Sequence, residues 1–126
     1  GDTHVRIDSI LGSGEVAQRA IIVDDEIATG GSMMKVLDVL REGGTREFIL
    51  ACTHPVLTNN AAHTFQKIKD VREIVVTDTV LLPEETRALP KVTVLSLANV
   101  LGEAIKRNHL GQSMGALFTF WEEKHD

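Results

Sequence analysis

The chain has 126 residues, the length of one ordinary domain, and at 43% hydrophobic and 25% charged it can bury a core and stay soluble. No apolar run approaches the eighteen or more residues of a membrane span, and the N-terminus lacks the basic, apolar and small-residue succession of a signal peptide. A formal net charge of −5 with both signs interspersed, one Trp and no Tyr argue against nucleic acid as a partner, and the single Cys52 rules out an internal disulfide and fits a reducing, cytoplasmic setting.

The first residue is Gly rather than Met, and the chain opens as though inside an element. The expectation is therefore a single domain, residues 1–126, that is part of a longer protein. "THVRIDSI" alternates polar and apolar residues, with Val5, Ile7 and Ile10 on one side, which suits a half-buried strand. "LGSGEVAQR" reads as a turn. "AIIVDD" is a short apolar run with β-branched residues ending in acids, the pattern of a buried parallel strand. "SMMKVLDVLREGG" places Met33, Val36, Leu37 and Leu40 at helical spacing, and Gly43 and Gly44 supply a left-handed stop. "EFILACTH" is a second buried strand. "TNNAAHTFQKIKD" puts Ala61, Ala62, Phe65 and Ile68 on one helical face, with Thr58 or Asn59 as cap. "EIVVTD" and "KVTVLS" are strands joined by the Pro-bounded connection "TVLLPEETRALP". "LANVLGEAIKRNH" gathers Leu97, Leu101, Ala104 and Ile105, capped by Ser96, and the apolar tail "MGALFTFW" is expected to dock on the domain or a partner chain. Strand and helix alternating at short spacing predict an α/β fold: a doubly wound, mostly parallel sheet with helices on both faces. Ligands of such sheets gather at the carboxyl ends of the strands.

"VDDEIATGGS" lies at one such end. A helix beginning near Gly31 or Ser32 leaves backbone N–H groups unpaired and carries a partial positive charge at its start. Gly30 and Gly31 let the backbone approach a ligand, and Thr29 and Ser32 add hydroxyls, so the run suits a phosphate. Asp24 and Asp25 would repel that phosphate. They are suited instead to neutral sugar hydroxyls or to a metal. Together the two halves suggest a sugar phosphate. The plainer alternative is a strand-to-helix turn with Thr29 or Ser32 as N-cap and a solvated Asp pair. His54 at another strand end either faces the same cleft or closes a turn with Pro55. The remaining histidines show no metal-ligand spacing, Cys52 reads as a buried strand residue, and Met33 and Met34 as packing.

The ten-residue order Val23, Asp24, Asp25, Glu26, Ile27, Ala28, Thr29, Gly30, Gly31, Ser32 resembles the phosphoribosyl-pyrophosphate (PRPP) loop of the type I phosphoribosyltransferase fold. Glu26 departs from a usually apolar position, and Ala28 from one that is acidic in many members. The succession "ACTHPVLTNNA", "EIVVTDTVLLPEE" and "VTVLSLANVLGEAIKRNHLGQSMGALF" is similar to the C-terminal half of ribose-phosphate pyrophosphokinases. The resemblance implies transfer of pyrophosphate from ATP to ribose 5-phosphate, giving PRPP and AMP, with Mg²⁺ accompanying ATP and with self-association into homo-oligomers. It implies that Asp24 and Asp25 hold the ribose hydroxyls, that Thr29, Gly30, Gly31 and Ser32 hold the 5-phosphate, and that Ala28 belongs to the same substrate-binding run. It places no catalytic residue and no metal ligand in this chain, the basic flexible loop being expected before Gly1. It also connects Gln112 and Ser113 with a regulatory phosphate or ADP site, the alternative being a simple helix end. A nucleobase phosphoribosyltransferase, which Ala28 disfavours, and a non-catalytic regulatory subunit are the other readings.

Overall fold

The computed structural model describes residues 17–117. The expected strand at 3–10 and the tail beyond Leu117 lie outside these residues. The chain divides into two units, with the break between Leu95 and Ser96.

The first unit holds four parallel strands, β1 (Arg19–Glu26), β2 (Glu47–His54), β3 (Val71–Thr77) and β4 (Val92–Leu95), in the order β1-β2-β3-β4. Helix α1 (Gly31–Glu42) joins β1 to β2, α2 (Ala61–Lys67) joins β2 to β3, and the single turn α3 (Glu84–Arg87) lies between β3 and β4. The run 79–90, expected as a plain connection, thus contains a helical turn, entered from Pro83 with Glu84 and Glu85 in its first turn.

Strands that follow one another in sheet order, joined by crossovers of one hand, carry their crossovers on one face. The burial agrees. Phe48, Leu50 and Cys52 of β2 and Ile74 and Val76 of β3 pack with Met33 and Leu37 of α1 and Ala61 and Phe65 of α2 in one cluster, and Ala20, Ile22, Val92 and Val94 border it. On the other face Ile21 and Val23 of β1 are 68% and 75% exposed. So β1 is half-covered, not the fully buried strand its apolar run suggested. Among the described residues of this unit α1 and α2 pack on one sheet face.

Helix α1 ends as the paired glycines indicate: Gly44 adopts φ 113° and its N–H donates to the Arg41 carbonyl at 3.0 Å. Helix α2 begins differently. Asn60 occupies the position before it in a left-handed conformation, φ 59°, with no side-chain cap from Thr58 or Asn59. A two-pronged ion pair then fastens the end of α1 to the turn before β3. Arg41 Nε and Nη2 donate to Asp70 Oδ2 and Oδ1 at 2.7 and 2.8 Å, Nη1 donates to Asp38 at 2.8 Å, and the guanidinium lies 5.6 Å from the centre of the Phe48 ring. Hydrogen bonding to Arg41 holds the Asp70 carboxyl below its usual range.

The second unit contains α4 (Ala98–His109) and a 3-10 turn (Gly115–Leu117). Leu97 is the N-cap, and the Ser96 hydroxyl accepts from the Ala98 N–H at 3.3 Å. No residue of α4 is buried. Glu103 accepts from Arg107 one turn later at 2.8 Å. No helix among the described residues is long and apolar enough to cross a membrane.

Candidate functional site

The site is built where β1 gives way to α1. In the parallel register Asp24 lies beside Cys52 and Glu26 beside His54. Beyond the strand, Ile27 N–H donates to the His54 carbonyl at 3.3 Å and Leu57 N–H donates back to the Ile27 carbonyl at 2.9 Å. These bonds lace the loop after β1 to the loop after β2. Ile27, 2% exposed, anchors the crossing in the core.

Gly30 then turns the chain into α1. Its φ of +82° is a left-handed conformation that side chains strain to adopt, and a Cβ there would stand 2.7 Å from Phe65 Cζ. The position therefore needs glycine for two reasons, and Phe65 of α2 sets the second. The first intrahelical bond runs from Met34 N–H to the Gly30 carbonyl at 2.9 Å. The N–H groups of Gly31, Ser32 and Met33 are thus the donors that helix geometry leaves without an intrahelical acceptor. No side chain caps this end and no acid stands in its first turn. Thr29 and Ser32, both exposed, keep their hydroxyls available, which removes the plainer reading of them as N-caps.

Asp24, Glu26 and the run from Ile27 to Met33 line one cavity of about 140 Å³. Of the residues singled out in sequence, the structure brings together Asp24, Ala28, Thr29, Gly30, Gly31 and Ser32. Asp25 does not line this cavity. Neighbours on a strand point to opposite faces, and the Asp25 backbone N–H donates to Asp24 Oδ1 at 2.9 Å. The second carboxylate on Asp24's side is Glu26. Its signal in the sequence was the two-residue strand period, which outranks adjacency in the chain.

The thiol of Cys52 reports the same sidedness. Burial pushes it up, a backbone hydrogen bond from Ile27 opposes this, and the Asp24 and Glu26 carboxylates add to the rise. It is a poor nucleophile beneath an acidic rim. His54 is exposed, but its ring is held: Nδ1 lies 3.0 Å from Thr79 Oγ1. The hydroxyls of Thr79 and Thr77 donate to the Thr53 carbonyl at 2.8 and 2.6 Å. The arrangement that makes most bonds has Nδ1–H donating to Thr79. Among the described residues no group of three or more His, Cys, Asp or Glu side chains could hold a metal ion. Gln112 and Ser113 lie in the second unit. There the Gln112 N–H donates to the Arg107 carbonyl at 2.9 Å and Arg107 Nη1 donates to the Ser113 carbonyl at 3.1 Å, so both close the end of α4.

Residues 9–119 match the phosphoribosyl synthetase-associated domain. A Streptomyces coelicolor relative is 44% identical over 118 residues, which are 93% of this chain and 36% of that protein. The ribose-phosphate pyrophosphokinases of Buchnera aphidicola and Haemophilus influenzae are 41% and 42% identical over 106 residues, 83% of this chain and 33% of each enzyme. The crystal structure of phosphoribosylpyrophosphate synthetase from Mycobacterium smegmatis superposes with a TM-score of 0.70 at 35% identity, covering 79% of this chain and 33% of that one. The chain spans about a third of the length of these relatives. Its α/β fold, a parallel sheet with flanking helices, is of the type I phosphoribosyltransferase kind. The comparisons do not support placing it in the C-terminal half of such an enzyme; that expectation rested on the order of its motifs alone. The chain belongs to the phosphoribosyl synthetase-associated domain family, whose relatives here are ribose-phosphate pyrophosphokinases.

Proposed function

We propose that this chain is the ribose 5-phosphate-holding part of a ribose-phosphate pyrophosphokinase, which moves the terminal pyrophosphate of ATP onto the anomeric hydroxyl of ribose 5-phosphate. The observation that carries the reading is a cavity lined both by the Asp24 carboxylate and by the loop from Ile27 to Met33 that opens α1. The N–H groups of Gly31, Ser32 and Met33, the start of the α1 dipole and the Thr29 and Ser32 hydroxyls hold the 5-phosphate. Asp24 accepts from a ribose hydroxyl inside the cavity. Asp25 does not line the cavity, and no ligand contact is assigned to it. Such charge-assisted bonds contribute ~1.5–3 kcal/mol each.

This chain positions and does little else to the reacting atoms. Among the described residues no Lys or Arg lines the cavity, so cationic stabilisation of the transferring group comes from other residues of the enzyme. Mg²⁺ keeps several waters and binds through one or two carboxylates together with substrate phosphates. The Asp24 side of the cavity fits that mode rather than an all-protein cage, and the ion would screen the phosphates when ATP is bound. Ala28 lines the cavity without an ionisable group, so this position offers no acid for proton transfer to a nucleobase.

The test is titration calorimetry of the chain with ribose 5-phosphate and with ribose. Ribose 5-phosphate is expected to bind at least tenfold more tightly. Equal affinities would remove the phosphate cradle and the reading with it.

A further inference from the structure

The loop after β2 holds Ile27 by both of its backbone groups. The His54 carbonyl accepts from the Ile27 N–H at 3.3 Å and from the Val56 N–H at 3.0 Å, the second bond closing a tight turn around the buried Pro55. The Leu57 N–H then donates to the Ile27 carbonyl at 2.9 Å. Together these bonds form a clasp. Leu57 makes its bond at φ +45°, a left-handed conformation that costs a leucine about 1–2 kcal/mol. Asn59 and Asn60 are left-handed as well, but asparagine tolerates this. Strain of the Leu57 kind persists only where its surroundings over-determine it. A set of bonds from the end of β3 braces the clasp. The Thr77 and Thr79 hydroxyls both donate to the Thr53 carbonyl, and the Thr79 N–H donates to Thr77 Oγ1 at 3.2 Å. With its own proton committed to that carbonyl, Thr79 Oγ1 accepts from His54 Nδ1–H at 3.0 Å. One hydroxyl thus holds the backbone of Thr53 and the ring of His54.

We propose that Thr79 and His54 are positioning residues for the phosphate cradle, acting through Ile27, a role that rests on the ribose 5-phosphate reading above. Neither of them lines the cavity. Ile27 is followed directly by Ala28, Thr29 and Gly30, and Gly30 packs closely against Phe65. The stretch that leads into the phosphate donors is therefore pinned at both ends, by the clasp at Ile27 and by α2 at Gly30. Removing the Thr79 hydroxyl frees the His54 ring and takes away one of the two donors to Thr53. The strain at Leu57 then favours opening, and Ile27 is the residue it lets go. A cradle made of backbone N–H groups has no side chain with which to recover its geometry. Displacement of the residues before it is felt directly as lost affinity.

The test uses the 126-residue chain and Thr79→Val, which keeps the shape of an exposed side chain and removes its hydroxyl. Thr79→Ser restores the hydroxyl. Thr93→Val is the control, removing a hydroxyl that bonds Glu73 elsewhere on the sheet. Amide exchange, read by NMR without ligand, is expected to quicken about tenfold or more at Ile27 and Leu57 in Thr79→Val, and to stay unchanged at Leu50 within β2. The ring nitrogen shifts of His54 should report Nδ1–H in wild type and lose that preference in the variant. Affinity for ribose 5-phosphate should fall about fivefold or more in Thr79→Val. It should return in Thr79→Ser and match wild type in Thr93→Val. Exchange at Ile27 that Thr79→Val leaves unchanged, or that rises equally at Leu50, overturns the proposal. So does a Thr79→Val affinity equal to wild type, and both results leave the cradle standing. Wild type that binds ribose as well as ribose 5-phosphate removes the cradle, and the proposal with it.

Discussion

Replacing Gly30 by Ala tests how tightly the loop is tied to the helix behind it. The methyl group would enter at φ +82°, where a side chain costs about 1–2 kcal/mol relative to glycine. It would also stand 2.7 Å from Phe65 Cζ and 3.0 Å from Cε2. Phe65 is 1% exposed and packed in the core, so the ring cannot swing into solvent to make room. Overpacking of this kind costs ~1–3 kcal/mol. The two terms act through different degrees of freedom and together predict a loss of ~2–5 kcal/mol. With a urea slope of roughly 1–3 kcal/mol/M, the unfolding midpoint should fall by about 0.7–5 M. Gly31→Ala is the counterpart. There a Cβ meets only Thr29 Oγ1, at 3.8 Å, and the residue is the first of α1. That variant should unfold within about 0.5 kcal/mol of wild type, yet bind ribose 5-phosphate more weakly because its methyl group sits among the phosphate donors. Urea melts of both variants, together with Gly30→Ala/Phe65→Leu, decide the matter. Gly30→Ala melting with wild type would refute the reasoning, and so would a double variant that recovers none of the loss, because the second term would then not be steric.

Two further outcomes follow from the rest of the unit. The Asp70 carboxyl is held below its usual range by Arg41, so the folded state binds its proton less readily than the unfolded chain does. Its contribution is therefore fully present above the unfolded carboxylate range, about pH 4, and is lost as pH falls through the lower folded value. Asp70→Asn should cost ~1 kcal/mol at neutral pH and flatten the acid side of the stability profile. A variant with the wild-type profile would show that the pair is idle. Cys52 is buried and its thiol is pushed up, so a maleimide reagent at neutral pH should label native protein far more slowly than urea-unfolded protein. Equal rates would place the thiol in solvent.

Periodicity made most of the elements readable. Met33 and Leu37, four residues apart, are both buried on α1, and Ala61, Ala62 and Phe65 on α2. What escaped was set by neighbours, not by local sequence. The apolar run Ile21, Ile22, Val23 looked like a strand covered on both sides, but burial belongs to the sheet, and the sequential strand order leaves Ile21 and Val23 uncovered by α1 and α2. Pro83 and Pro90 suggested a connection without structure, although a proline followed by two acids is also how a short helix starts. Thr58 and Asn59 looked like caps, and the chain instead entered α2 through the left-handed conformation that Asn tolerates.

The site divides along the same line. Its phosphate half is a continuous loop, so Thr29, Gly30, Gly31 and Ser32 lie together in space because they lie together in the chain. Its carboxylate half is a strand, where the opposite holds. Asp24 and Asp25 are adjacent in the chain and are separated by the plane of the sheet. Asp24 and Glu26 are not adjacent and share a wall. A two-acid motif at the end of a strand is therefore not one feature but two, each facing its own side. The residue that completes the cavity wall is found by counting in twos from the first acid. In this chain that count lands on a carboxylate, Glu26, which lines the cavity together with Asp24.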